Sequence, residues 1–244
     1  MRNIFVLQGQ QRIFRYTRLD TRDARTLYGK ALDLDPGYAR ALAAKSRTLN
    51  IEWRYNWAEE RDEALDSALK LAHEAIQADS ADARGFGELG FVHLYRKEHD
   101  AAINAYRRAT KLNPNDADLL SDMADALVHA HQSEEAVELL QVAMRLNPYY
   151  PDQYLWHLGG AYFKLKRYEE AIQTVQKMQN PTEGRRLLAA SFGQLGRIAE
   201  AKEQAAKVLE AHPNFTANDW AKVLPDKYPE DLDDFIEGLK KAGL

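Results

Sequence analysis

Small and apolar residues recur along this chain with two periods at once. Over short distances they fall three or four positions apart, as in Ala102, Tyr106 and Ala109, and therefore share one face of a helix. Over longer distances the same pattern returns, and Pro114 corresponds to Pro148, 34 positions later (148 − 114). A fixed period of this size predicts an array of stacked helical repeats.

Each repeat is predicted to be a helix, a tight turn and a second helix. Gly90 and Ala102 stand where two paired helices come closest, because a large side chain there would force the axes apart. Pro114 ends the second helix, since proline lacks an N–H and clashes with the preceding turn. One such hairpin cannot bury its apolar face alone. We therefore expect an all-α, right-handed α-solenoid of about six helix-turn-helix units with a C-terminal helical cap.

The repeat continues without a break in composition, which predicts a single domain over residues 1–244. It comprises a degenerate first unit (1–36), a unit with an aromatic insertion (37–80), four regular units (81–213) and a helical cap (214–244).

Some local boundaries are also predicted. In the first unit we expect a long turn around Arg18–Thr21, with Asp20 or Thr21 as the N-cap of the second helix. In the fifth unit the second helix should end early, at Asn180-Pro181. The two closing helices are expected over Asn218–Leu224 and Glu230–Lys241.

The insertion in the second unit is unusually aromatic. It lies around Asn50–Glu60 and contains Trp53, Tyr55 and Trp57. Loops seldom carry such a density of rings, so something must shield them. In one interpretation the rings fold back and seal the groove between neighbouring helices. In the other they form a partly exposed anchor for a partner, because Trp and Tyr dominate interface hot spots.

Composition excludes several classes of function. The chain has 244 residues, a formal net charge of −4 and no cysteine. Nucleic-acid binding, which normally needs a basic surface, is therefore not expected. Without cysteine there is no disulfide framework, thiol nucleophile or thiolate metal site. No apolar run approaches the roughly 20 residues of a membrane span, and the first residues do not form a signal peptide. We expect a soluble, cytoplasmic protein.

Motifs that suggest chemistry are explained by the repeat. Gly85, Gly87 and Gly90 spell GxGxxG, but this motif binds a dinucleotide only after a strand, and here it lies inside the first helix of a repeat. His129 and His131 are two positions apart and would diverge on a helix. The sequence shows no nucleophile–base pair. We therefore predict no catalytic residue, no cofactor and no metal site, and we do not expect an enzyme.

The repeat resembles the tetratricopeptide repeat, on the small pair Leu89-Gly90, on Ala102 and Tyr106, and on Pro114. The resemblance implies that the first helix of each unit lines a groove for a partner protein or peptide. Transferred to this chain, the register gives a groove lined by Phe91, Tyr95, Asp118, Asp122, Asp125, His129, Trp156 and Phe163. Such a groove is apolar with an acidic patch, which suits a basic, apolar segment. The family's clamp for a C-terminal carboxylate needs Asn where Phe91 and Asp125 stand, so an acidic chaperone tail is not expected.

A narrower resemblance rests on the order of several segments. An opening QRIFRYTRLDTRDARTLYGKALDLDPGYARA is followed by EWRYNW, then by RLNPYYPDQYLWHLGGAYFKLKRYEEAI, and finally by DLDDFIEGLKKAGL. This order is similar to the C-terminal repeat region of bacterial class III adenylate/guanylate cyclase-like proteins. The resemblance implies a regulatory scaffold module of a signalling protein. Two alternatives stay open. One is a small-molecule or enzymatic pocket near Trp156, His157 and Asp125, and the other is self-association into a homodimer.

Overall fold

The computed structural model describes residues 1–13, 15 and 17–244, and all regular secondary structure in them is helical. Phe14 and Tyr16, which belong to the opening motif, lie outside the described residues. The chain divides into two compact units, an N-terminal unit, Met1–Asn115, and a C-terminal unit, Asp116–Leu244. Both consist of paired helices, which confirms the all-α repeat class. The expectation of one domain over 1–244 stays a prediction.

The N-terminal unit contains three helix pairs. Its helices are α1 (Arg2–Ile13), α2 (Arg18–Leu34), α3 (Ala39–Arg54), α4 (Arg61–Ala78), α5 (Ala83–Tyr95) and α6 (His99–Leu112). Consecutive helices pack as pairs, and α3 contacts both α1 and α5. The first helices of neighbouring pairs therefore lie side by side, as a stacked array requires.

The C-terminal unit repeats this arrangement and then closes it. Its helices are α7 (Ala117–His129), α8 (Ser133–Leu146), α9 (Asp152–Lys164), α10 (Tyr168–Val175), α11 (Arg185–Gln194), α12 (Ile198–Ala211), α13 (Ala217–Val223), a 3-10 turn (Pro229–Leu232) and α14 (Asp233–Ala242). The helix α9 contacts both α7 and α11, while α14 packs on α11 and α12.

Small residues stand where paired helices approach, as predicted. A Cβ added to Gly90 would lie 2.7 Å from the ring of Tyr106 on the paired helix. Gly9 faces Tyr28 in the same way, with a Cβ 2.7 Å from the ring carbon Cζ. Ala102 is fully buried. The degenerate first unit therefore keeps the same helix-pair contact, although its connection is longer.

The closest approach in the C-terminal unit joins α11 to α14. A Cβ on Gly238 would lie 2.9 Å from the Cα and the carbonyl carbon of Ala190, and a Cβ on Gly193 would meet the backbone of Gly238. The two helix backbones thus touch where only glycine leaves room. Beside this contact, Leu239 and Ala242 are buried in the core of the unit.

The insertion of the second unit lies mostly in helices, which corrects the expectation of extra residues around Asn50–Glu60. The helix α3 has 16 residues against 13 in α5, and α4 has 18 against 14 in α6. Only residues 55–60 connect α3 to α4, three more than connect α5 to α6. Each helix is thus longer by about one turn, so its buried face stays in register.

The predicted turn around Arg18–Thr21 is wrong, because α2 already begins at Arg18. Thr17 is the N-cap, and its Oγ1 accepts a hydrogen bond of 3.0 Å from the N–H of Asp20. The Thr17 hydroxyl also donates to the Asp20 carboxylate, at 2.7 Å. A threonine followed three positions later by a carboxylate satisfies the free N–H groups of the first turn, which fixes the start of the helix here.

The helix α10 ends at Val175, earlier than the predicted stop at Asn180-Pro181. The carboxylate of Asp152 accepts the N–H groups of Gln179 and Asn180, at 2.9 and 2.7 Å, and so holds the chain in a turn instead of a helix. The two closing helices are confirmed as α13 and α14, apart from the 3-10 turn that precedes α14.

Candidate functional site

The candidate site is a small cavity in the C-terminal unit, enclosed between the first helices and the end of the chain. We call residues 216–236 the closing segment, and we call the surface formed by Asp125, His129, Trp156, Lys164 and Arg186 the first-helix face. The cavity between them has a volume of about 90 Å³. It is lined by Asp125, Val128, His129, Trp156, His157, Gly160, Phe163, Lys164, Arg186, Leu187, Trp220, Leu224, Asp226, Leu232 and Phe235.

Asp226 is the charged centre of this contact, and its side chain is only 1% exposed. His129 Nδ1 lies 3.0 Å from Asp226 Oδ2, and the Lys164 ammonium forms an ion pair with the same carboxylate. Burial alone would raise the pKa of Asp226, but His129 and Lys164 outweigh it and lower the pKa to about 2. The carboxylate is therefore ionised at neutral pH, and its two partners come from two different first helices.

Further bonds hold the closing segment to α7, α9 and the turn after α7. The N–H of Lys227 donates to the carbonyl of His129 at 2.8 Å. Lys164 Nζ donates to the carbonyl of Asp231, also at 2.8 Å. His131 Nδ1 lies 2.8 Å from Asp231 Oδ1. Both main-chain and charged side-chain groups therefore fix the position of the segment.

Arg186 joins the first-helix face to the closing segment through contacts with aromatic rings. It is only 4% exposed, and its guanidinium lies 4.1 Å from the ring centroid of Trp220 and 5.6 Å from that of Trp156. Burial lowers the pKa of Arg186, and the ion pair with Glu183 opposes this effect. An arginine keeps its charge in such a site. Cation–π contacts therefore join the first-helix face to the closing segment.

Ser121, His157 and Asp125 form a buried network beside the cavity. His157 Nδ1 lies 3.0 Å from Ser121 Oγ and 3.1 Å from the Ser121 carbonyl oxygen, which accepts its hydrogen. His157 Nε2 lies 3.6 Å from Asp125 Oδ1, beyond hydrogen-bond distance. The side chain of His157 is fully buried and Ser121 is 1% exposed. A hydroxyl so enclosed cannot reach a substrate, so this trio joins α7 to α9 without being a nucleophile–base pair.

The predicted acidic patch is engaged within the C-terminal unit. Asp118 accepts a hydrogen bond of 2.7 Å from the Tyr154 hydroxyl, and Asp122 accepts one of 3.2 Å from Gln153 Nε2. Burial, together with the bond to Asp118, raises the pKa of Tyr154. These aspartates therefore bind α7 to α9. Of the predicted groove residues, Asp125, His129, Trp156 and Phe163 come together around the cavity.

The remaining predicted aromatics lie in the N-terminal unit. Tyr95 packs against both Phe91 and Trp53, with ring centroids 4.5 Å apart in each pair. Tyr55 stacks on Trp57 at 4.8 Å, and both pack against the core formed by α1, α2 and α3. All three rings of the insertion are partly buried. Their role as an anchor stays a prediction.

Sequence reasoning missed Lys164, Trp220 and Asp226, because the cap was predicted only as two closing helices, with no contact back to the earlier repeats. The sequence did contain one signal. Trp220 in the first predicted closing helix is followed by Leu224, Pro225 and Asp226, before the second closing helix begins. Among the described residues, no group of three His, Asp or Glu side chains is placed to bind a metal ion. In that same part of the chain, each helix is too short or too polar to cross a lipid bilayer.

Comparison with known families identifies the repeats. Tetratricopeptide repeat models match residues 93–152 and 152–178, so the chain contains tetratricopeptide repeats. Small glutamine-rich tetratricopeptide repeat-containing protein 2 of Mycosarcoma maydis is 33% identical over 116 residues, which are 48% of this chain and 28% of that protein. Putative adenylate cyclase 3 of Rhizobium meliloti (strain 1021) is 30% identical over 100 residues, which are 41% of this chain and 17% of that protein. The chain thus spans less than a third of either relative.

Solved structures share the fold. A structure of the anaphase-promoting complex hetero-tetramer Cut9–Hcn1 matches 92% of this chain and 46% of its own with a TM-score of 0.68 and 18% identity. PilF of Pseudomonas aeruginosa matches 88% of this chain and 93% of its own with a TM-score of 0.59 and 18% identity. These neighbours support the α-solenoid class.

Proposed function

We propose that this tetratricopeptide-repeat chain is a non-catalytic interaction module that binds a segment of a partner protein on the first-helix face. Tetratricopeptide repeats generally mediate contacts between proteins. The observation that carries the proposal is that this face already holds a stretch of polypeptide, through charged, main-chain and aromatic contacts to the closing segment.

The size of the cavity favours a polypeptide over a small molecule. Its volume of about 90 Å³ compares with roughly 300–1,000 Å³ for ordinary ligand pockets. The pocket predicted near Trp156, His157 and Asp125 is therefore large enough only for side chains or a few water molecules. The only serine bonded to His157 in the described structure is enclosed, which supports a non-catalytic role.

A regulatory role in bacterial signalling is the finer part of the proposal. It is supported by the order of sequence segments and by the partial similarity to a putative adenylate cyclase, which covers 41% of this chain. In that setting the repeats would bring a partner to an effector domain. A cytoplasmic location follows from the same setting.

The partner's charge is a separate question. A basic, apolar segment was predicted from Asp118, Asp122 and Asp125. Since the first two already accept hydrogen bonds from Tyr154 and Gln153, a basic partner would have to compete with these bonds.

Self-association through Trp53, Tyr55 and Trp57 is the remaining alternative, and it is supported by their partial exposure.

Selection from a random peptide library on the full-length chain tests the proposal. In an Asp226→Asn background, where Lys164 no longer pairs with the closing segment's own carboxylate, enriched peptides should bind about tenfold more weakly when Lys164 is also replaced by alanine, because a charge-assisted bond is worth at least that much. Binding should be unchanged in Lys202→Ala, a matched loss of charge at an exposed position on α12. If no peptide is enriched, or if both variants bind equally well, the first-helix face is not an interaction site.

A further inference from the structure

The path of the closing segment is not that of a simple cap. The helix α14 already covers α11 through the backbone contact at Gly238. Residues 224–232 instead run back to α7 and α9, the first helices of the two preceding pairs. Shielding the last helix pair does not require this return, so the contact calls for another explanation.

We propose that residues 224–232 act as an internal ligand, and that the partner binds the same surface through an acidic, apolar segment of the same chemistry. This inference rests on the proposed function and adds the chemistry of the partner. It replaces a basic partner by an acidic one at this face.

Charge complementarity is the first support. Residues 224–232 read LPDKYPEDL, which holds three carboxylates and one lysine. Basic side chains of the repeats face these carboxylates: Lys164 and His129 lie against Asp226, and His131 lies against Asp231. Lys166 continues this basic surface and lies 2.8 Å from Asp234, at the start of α14. These basic residues lie on α7, on α9 and in the turns that follow the two helices. The surface is therefore suited to an acidic segment.

Apolar anchoring is the second support. Pro225 is buried beside Asp226, while Leu224 and Leu232 line the cavity. Trp220 covers Arg186 at 4.1 Å. A partner would need the same combination, an internal carboxylate next to aliphatic residues with an aromatic ring nearby. A free C-terminal carboxylate is not required, in agreement with the absence of the family's carboxylate clamp at Phe91 and Asp125.

The segment is built so that it can leave without unfolding the unit. Residues 224–228 are not helical, and one of their amides, that of Lys227, is bonded to α7. Release breaks this main-chain bond, the bond from Lys164 to the carbonyl of Asp231 and the side-chain contacts, whereas α14 keeps its own packing on α11 and α12. A tethered segment competes at an effective concentration of about a millimolar, so an added peptide binds the intact chain weakly.

The test uses the chain's own segment as an external probe. A fluorescent peptide of residues 216–234 is titrated into the full-length chain and its variants, with anisotropy as the readout. Asp226→Asn in the chain weakens the internal ligand and leaves the receiving surface intact. This variant should bind the peptide about ten- to a hundredfold more tightly than the wild type, because a bond to a charged group is removed from the competitor. Asp219→Asn, which lies in the same segment and pairs only with Lys222 and Thr216 in the described structure, should bind like the wild type.

Two further measurements keep the outcome decisive. Lys164→Met together with Asp226→Asn should abolish binding, and circular dichroism establishes whether each variant is folded. In the wild type, saturating peptide should accelerate hydrogen exchange of the Lys227 amide. The proposal is overturned if folded Asp226→Asn gains no affinity, or if a peptide with lysine in place of Asp226 binds better.

The possible failures are distinct. If peptides from the library bind the first-helix face but the closing-segment peptide does not, the interaction module stands and the acidic partner is wrong. If neither class of peptide binds any variant, the proposed function fails as well.

Discussion

Replacing Gly238 by alanine should destabilise the C-terminal unit, although alanine is the better helix former. Gly238 lies in α14, and a Cβ there would be 2.9 Å from the Cα and the carbonyl carbon of Ala190 in α11. The obstacle is backbone, which cannot turn aside as a side chain does. The two helices would have to separate by several tenths of an ångström, and their packed surfaces would lose part of their dispersion contacts.

The magnitude follows from two opposing effects. Overpacking of a close contact costs about 1–3 kcal/mol, and a contact with backbone belongs in the upper part of that range. The higher helix propensity of alanine returns about 1 kcal/mol. The free energy of unfolding of the C-terminal unit should therefore fall by about 1–2 kcal/mol. Gly29 in α2 provides the control, because no atom lies within 4 Å of an added Cβ there. Gly29→Ala should stabilise the N-terminal unit by about 0.5–1 kcal/mol.

Urea unfolding followed by far-ultraviolet circular dichroism measures both variants. Hydrogen exchange read by mass spectrometry assigns the change to a unit, because each unit holds two of the four tryptophans and fluorescence would not separate them. The same chemical change should shift the two midpoints in opposite directions. A Gly238→Ala midpoint at or above that of the wild type would refute the close approach of α11 and α14. If Gly29→Ala is less stable than the wild type, the space beside Gly29 in α2 is not open.

Other predictions concern charge, capping and the aromatic insertion. The pKa of Asp226 falls from 3.8 to about 2 on folding, so its carboxylate adds about 2 kcal/mol of stability above pH 3.8 that is lost as the pH falls to 2. The stability gap between wild type and Asp226→Asn should therefore narrow over that range in urea titrations, and a constant gap contradicts the assignment. Thr17→Ala should cost about 1 kcal/mol of stability, because the N–H of Asp20 loses its acceptor, whereas Thr17→Ser should cost little. The double variant Trp53→Ala/Trp57→Ala should lose about 2–4 kcal/mol of stability without changing its mass in light scattering. A dimeric wild type and a monomeric variant would instead establish self-association.

Much of the fold could be predicted from the sequence, because it depends on local periodicity. The helix pairs and the small residues at Gly90 and Ala102 follow from positions within one period, and the two closing helices follow from local helix-end signals. The boundaries that were wrong depend on single side chains. Thr17 caps α2 and Asp152 stops α10, and neither role follows from a repeating pattern.

The candidate site was predicted less well, for a physical reason. Asp125, His129, Trp156 and Phe163 follow from the register of the first helices. Asp226 contacts His129 from 97 positions away in the sequence, and no repeat period gives that distance. A pattern of periodic positions describes contacts between neighbouring units, so it cannot show where a non-repeating segment returns.

The bond between His129 and Asp226 also has a consequence during synthesis of the chain. Contacts between stacked repeats can form as soon as the next repeat leaves the ribosome, but this one must wait for 97 further residues. At about 5–20 residues per second, that delay is roughly 5–20 s. During this interval α7, and later α9, have been made while their internal competitor has not. A partner present at the site of translation would meet the newly made surface before the closing segment does.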